Sequence, residues 1–421
     1  MKIHTGIVRS CLIAAFGAGL TVATGAQAAE LEVLHWWTAG GEAKSAAELK
    51  KILESKGHKW KDFAVAGGGG ENAMTVLKSR VVSGNPPAAA QIKGPSIGEW
   101  GAEGVLSNLD AVAKAGGWDG LLPPVVAKVM KHDGHYVAVP VNVHRVNWMW
   151  VNPEVFKKAG AEIPKTWDEF PVAAEKIQKA GFVPVAHGGQ PWQDFTVFES
   201  IALGVGGTDF YRKALVELDQ ATLKGPAMEK VFTTFASVRK YVDKDSSNRV
   251  WNQATGMIIN GKAAMQFMGD WAKGEFSSAG KVPGKDYVCV AAPGSAEAFT
   301  FNIDSLVMFE QSSGDVRKGQ QDLANAVMSP AFQEVFNLNK GSIPARMNMN
   351  LDKFDDCAKL SARDFEAASK RGTLVPSIAH QMAVSAATAG AMQDVVTQFF
   401  NSPSMKPKDA VEKLARAALT K

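Results

Sequence analysis

Residues 31–65 read "LEVLHWWTAGGEAKSAAELKKILESKGHKWKDFAV". Leu31–Leu34 is a short apolar strand; Ala46, Leu49 and Leu53 then recur at helical spacing, and Phe63–Val65 is a second strand. "GGGGENAMTVLKSRVV" at 67–82 opens a helix with Ala73, Leu77 and Val81 on one face, and Ala88–Ile92 is a third strand. Strand and helix alternating in this way imply a parallel, doubly wound sheet. Further strands are expected at Tyr136–Pro140, Val146–Val151, Ala263–Met268, "YVCVAAP" (287–293) and "FNIDSLVMF" (301–309). Between them lie a helix start at Asn152-Pro153 and a capping box, "TWDE", at 166–169. Val231, Phe235, Val238 and Val242 form an apolar stripe, as do Val411, Leu414, Ala415 and Ala418 near the C-terminus. A chain of 421 residues with no repeat and no low-complexity linker fits two α/β lobes whose sequences interleave.

The composition is that of a globular protein, 46% hydrophobic and 21% charged. Eleven Trp stand against four Tyr; indole supplies a broad apolar face and one N–H donor, suited to core packing and to stacking on a sugar alike. Residues 1–28 read as a signal peptide: Lys2 and Arg9 precede the apolar "CLIAAFGAGLTVATG", and Ala26-Gln27-Ala28 supplies the small–x–small cleavage pattern, so the mature chain is expected to start at Ala29. Loss of Lys2 and Arg9 leaves 44 basic against 42 acidic residues, with no basic run interleaved with aromatics, so nucleic acid is not an expected partner. Cys289 and Cys357 remain, an even pair that forms one disulfide or stays as two buried thiols. The scattered histidines include no metal-ligand spacing, and no metal or cofactor is implied.

Two glycine motifs suggest chemistry. Gly94-Pro95-Ser96-Ile97-Gly98 is a literal G-x-S-x-G between a strand and a helix, which raises the alternative of a secreted serine esterase with Ser96 as nucleophile, His380 as base and Asp304 or Asp394 behind it. Only 67 mature residues precede Ser96, too few for the elements that normally lead to such an elbow. The glycine run at 67–70 lacks the lysine of a phosphate loop. Its plainer reading is a turn where missing Cβ atoms let backbone approach a neighbouring segment or a ligand.

Distant segments taken together say more. "LHWWTAGGE", "VVSGNPPAAAQIK", "VPVNVHRVNWMWVNP", "GGQPWQDFTVFES", "FMGDW" (267–271) and "NLNKGSIPAR" (337–346) occur in an order that resembles the extracellular solute-binding proteins of ABC importers, family 1, in particular periplasmic glucose-binding receptors. The resemblance runs from Leu31 to about His380. It implies a periplasmic-binding-protein-like α/β fold: two lobes, 29–139 with 293–345 and 140–292 with 346–421, joined by crossovers near Pro140–His144, Ala292–Pro293 and Ile343–Arg346, with the ligand cleft between them. It also implies a monomeric periplasmic receptor without chemistry of its own, which takes a monosaccharide, glucose first among them, to an ABC transporter membrane permease. Carried over by position, Trp36, Trp37 and Trp271 would stack on the sugar, with Glu42, Lys93, Asp304, Lys340 and His380 on its hydroxyls. Trp192, Asn142 and His144 are secondary candidates.

Overall fold

The computed structural model describes residues 29–67 and 69–420; the expected leader, 1–28, lies outside them. Three parallel strands, Lys59–Ala64, Glu30–His35 and Ala89–Ile92, are extended by antiparallel Ser305–Met308 and Ala138–Pro140 into a five-stranded sheet. Glu30–His35 lies between the two strands that follow it in the chain, so the winding reverses at its side. Leu31, Val33 and Leu34 meet Leu49 and Leu53 of helix Gly40–Ser55 in a first core, which also takes in Phe332 and Phe336 of helix Pro330–Lys340.

A second sheet orders Val288–Ala291, Trp148–Val151, Ala263–Phe267 and Val183–Val185. Its core is built on Phe195, Phe198, Phe232, Phe235 and Phe399, and a separate aromatic cluster gathers Trp148, Trp150, Trp271, Phe276 and Tyr287. A disulfide joins Cys289 of this sheet to Cys357 at the start of helix Asp356–Arg371. Between the two cores lies a third sheet, Ile343–Pro344, Asn142–Arg145, Phe299–Asn302 and Leu374–Pro376. Among the described residues, no helix is long and apolar enough to cross a membrane.

Several local expectations change. "FNIDSLVMF" is two strands: Phe299–Asn302 belongs to the connecting sheet and Ser305–Met308 to the first, with the turn at Ile303–Asp304 fixed by Val141 N–H on the Asp304 carbonyl and Asp304 N–H on Asn142 Oδ1. The passage between halves therefore falls at 299–304 rather than at Ala292–Pro293, since Ala292 and Ala298 both pack in the second core. Helix Asp356–Arg371, assigned wholly to the second lobe from sequence, sends Phe365 and Ala368 into the first core. Tyr136–Pro140 is split, because His135–Tyr136 turns back on Lys131–His132 before Ala138 joins the first sheet. The "TWDE" bonds form reciprocally, Glu169 N–H to Thr166 Oγ1 at 3.2 Å and Thr166 N–H to Glu169 Oε2 at 3.3 Å.

Candidate functional site

The carboxyl ends of the three parallel strands converge on one cleft. Trp36 follows Glu30–His35, Gly69 follows Lys59–Ala64, and Lys93 follows Ala89–Ile92. Ligands of open α/β sheets bind at such ends, where strand order reverses. The opposite wall is made by Trp192, Trp251 and Trp271 of the second half and by His380, while His144, Asn302, Asp304, Glu42 and Lys340 close the floor. The cavity volume is ≈ 40 Å³. Lys93, Asp304, Lys340, His380 and Trp271 are each buried to 6% exposure or less, so the two halves are closed on each other.

Charge in and behind the cavity is balanced between acids and bases. Lys340 Nζ donates to Glu42 Oε1 at 2.6 Å. Lys340 ends its helix rather than lying in the loop beyond it, and Gly341, at φ +92°, terminates the helix there. Lys93 Nζ donates to the Gly69 carbonyl at 3.0 Å and lies 5.0 Å from the Trp36 ring centroid; burial lowers its pKa. His144 bridges two carboxylates, with Nδ1 on Asp270 and Nε2 on Asp304 at 3.1 Å. Burial alone would favour its neutral form, but the two aspartates outweigh burial and raise its pKa. Burial likewise works against the Asp304 carboxylate, yet the His144 imidazolium, Lys340 and Lys93 hold it well below the usual range. Three cations (Lys93, His144, Lys340) thus face three anions (Glu42, Asp270, Asp304).

Asp304 Oδ2 takes every protein donor: His144 Nε2, Trp37 Nε1 at 3.4 Å and Asn142 Nδ2 at 3.4 Å. Its Oδ1 accepts none of the side-chain hydrogen bonds formed among the described residues. His380 is held neutral, its pKa pushed well down by burial and by Lys93 and His144. Thr196 Oγ1 donates to the Trp192 carbonyl at 2.8 Å, so its lone pair receives His380 Nε2–H at 3.2 Å and Nδ1 remains an acceptor. The loop bearing His380 is anchored by the buried Glu199 carboxyl, which pairs with Ser377 Oγ, Tyr211 Oη and the Ile378 amide.

Of the residues named from sequence, Trp36, Glu42, Lys93, His144, Trp192, Trp271, Asp304, Lys340 and His380 meet in this cavity. Trp37 does not line it: Trp37 turns into the first core, packs edge-on against Phe336 at 5.2 Å, and touches the site only through Asp304. Asn142 supports Asp304 from behind in the same way. Gly69 comes from the glycine run expected to bring backbone close to a neighbour or ligand, whereas Trp251 and Asn302 are additions from the structure. Asn302 stands two positions before Asp304, and strand alternation would have placed both on one face. Its Oδ1 is buried without a partner, as is Trp192 Nε1. Ser96 Oγ pairs with Glu99 Oε2 at 3.3 Å, and no histidine bonds it among the described residues.

Residues 39–312 match the family model described as bacterial extracellular solute-binding protein. A protein of Rhizobium meliloti named "probable sugar-binding periplasmic protein" is 48% identical over 404 residues, 96% of this chain and 97% of the relative. Solved structures of the same fold include the solute receptor AcbH, described as preferring β-D-galactopyranose exclusively, at TM-score 0.77 and 19% identity over 92% of this chain and 97% of that one. A chitin oligosaccharide binding protein superimposes at TM-score 0.79 with 17% identity, covering 93% and 98% respectively.

Proposed function

Because this chain belongs to the bacterial extracellular solute-binding proteins, we propose that it is an exported receptor that closes around a monosaccharide, glucose being the first candidate, and hands it to an ABC transporter permease. The observation that carries this reading is the cavity's balance: indoles on both walls, and three basic groups set against three acidic ones. A charged solute would leave one buried ion unpaired. A neutral pyranose offers C–H faces to Trp36 and Trp271 and hydroxyls to the rim, where hydrogen bonds to ions contribute about 1.5–3 kcal/mol each. The cavity between the walls is tight, ≈ 40 Å³, below the roughly 300–1,000 Å³ of small-molecule sites, which favours one sugar ring over a chain of them. Relatives of this fold are named for both ring and oligomer, so size has to be argued from the cavity. The leader read at residues 1–28 and the periplasmic naming of the R. meliloti relative support export.

Calorimetry with glucose, galactose, mannose, xylose and maltose tests the reading. One-to-one binding of glucose with maltose silent is the expected result. Tight maltose binding removes the monosaccharide assignment, and silence across the panel removes the receptor reading.

A further inference from the structure

We propose that Glu275 is a positioning residue that latches the two halves together by capping, from the second half, the helix that presents Glu42 from the first. Helix Gly40–Ser55 begins after Ala39, whose side chain has no acceptor for the free amides of the first turn. Glu275 provides one: its Oε1 accepts the Gly41 N–H at 3.0 Å across 234 residues of sequence. The two partners belong to different cores. Ala46, Leu49 and Leu53 fix the capped helix in the first, while Ala272 and Phe276, on either side of Glu275, are buried in the aromatic cluster around Trp150 and Trp271. A carboxylate at a helix N-terminus is also favoured by the helix dipole.

The seam around this contact is bare backbone. A Cβ on Gly274 would lie 2.7 Å from the Asn339 carbonyl and 3.3 Å from Gly41 Cα; one on Gly41 would lie 2.8 Å from Gly274 Cα. Asn339 adjoins Lys340, and Gly41 adjoins Glu42, the pair joined at 2.6 Å on the cavity floor. The latch therefore sits one residue behind two of the groups assigned to the ligand and touches no ligand itself. Parting of the halves carries Glu275 away with its own core and returns the Gly41 amide to water.

The affinity readout rests on the receptor reading, because apparent affinity scales with the fraction of molecules able to close. Loss of a cap corresponds to about a fivefold change in that equilibrium, so Glu275→Ala is expected to weaken sugar binding by about fivefold, mainly through faster release. Gly274→Ala is expected to weaken it by about tenfold or more. Because Ala outranks Gly within a helix, the thermal midpoint of the unliganded Gly274→Ala protein should hold or rise, which separates a closure defect from misfolding. Spin labels at Val82→Cys and Val172→Cys, exposed by 89% and 60% on opposite halves, should report longer distances in both unliganded variants. Wild-type affinity together with wild-type distances in both variants overturns the latch. Should the parent protein bind no sugar, the receptor reading falls, while the unliganded distances still decide the latch.

Discussion

Asp304→Asn strikes where the proposed ligand site, the connecting sheet and the charge balance meet. The side chain is 3% exposed, and its Oδ2 accepts from His144, Trp37 and Asn142 at 3.1–3.4 Å while Lys93 and Lys340 lie near. An amide retains one acceptor. Turned one way, its nitrogen confronts three donors; turned the other, it presents a donor to the sugar where an acceptor is wanted. In either pose three buried cations face only two anions. A hydrogen bond to a charged group is worth about 1.5–3 kcal/mol, and stranding one partner of a buried pair costs about 3–5 kcal/mol. Taking about 3 kcal/mol for the liganded state, glucose affinity should fall by roughly a hundredfold, at 1.4 kcal/mol per decade. Titration calorimetry at pH 7 measures this directly, with far-ultraviolet dichroism confirming the fold. A dissociation constant within threefold of the parent value would show that Asp304 does not face the sugar and would refute the reasoning.

Trp36→Ala should lower affinity by about ten- to a hundredfold, as loss of a stacked aromatic anchor does, whereas Trp37→Phe, which removes one Nε1–H bond to Asp304, should lower it only a few-fold; fluorescence titration of both resolves the two adjacent indoles. Burial pushes the Glu199 carboxyl up to about 7, so its neutral form is the folded state's preference. Its contribution is fully present below pH ~4.5 and is lost as pH rises to about 7, about 3 kcal/mol in all. Urea unfolding across that range should show this fall in the parent and not in Glu199→Gln; parallel slopes would rule the assignment out. Burial opposes the His144 imidazolium but Asp270 and Asp304 outweigh it, so its stabilisation is present below pH ~6.5 and fades as pH climbs through the raised folded value. Sugar affinity should decline toward alkaline pH with it, and a His144→Gln variant should give a flatter profile.

The first sheet and its helices were legible because Leu31, Val33, Leu34, Leu49, Leu53 and Leu77 repeat with unambiguous strand and helix periods, and each is buried. The split of 301–309 was not, since a continuous apolar run carries no mark of a change of sheet; the change is made by long-range bonds from Val141 and Asn142. In the site, the residues named through the family resemblance were largely those that meet in the cavity, but resemblance did not say which way each ring turns. Trp36 and Trp37, just past the strand end, turn to opposite sides, one to the cleft and one to the core. Trp251 begins its helix like any other aromatic residue. Gly69 acts through its carbonyl, which no side-chain pattern announces.

The connecting sheet has a consequence for anyone wishing to retune this molecule. Asn142 and His144 occupy one of its strands, and Asn302 ends the neighbouring strand just before Asp304. On the receptor reading, the pivot and the recognition surface share residues with no lever arm between them, so a substitution made to admit a new epimer is expected also to reset how far the empty protein gapes.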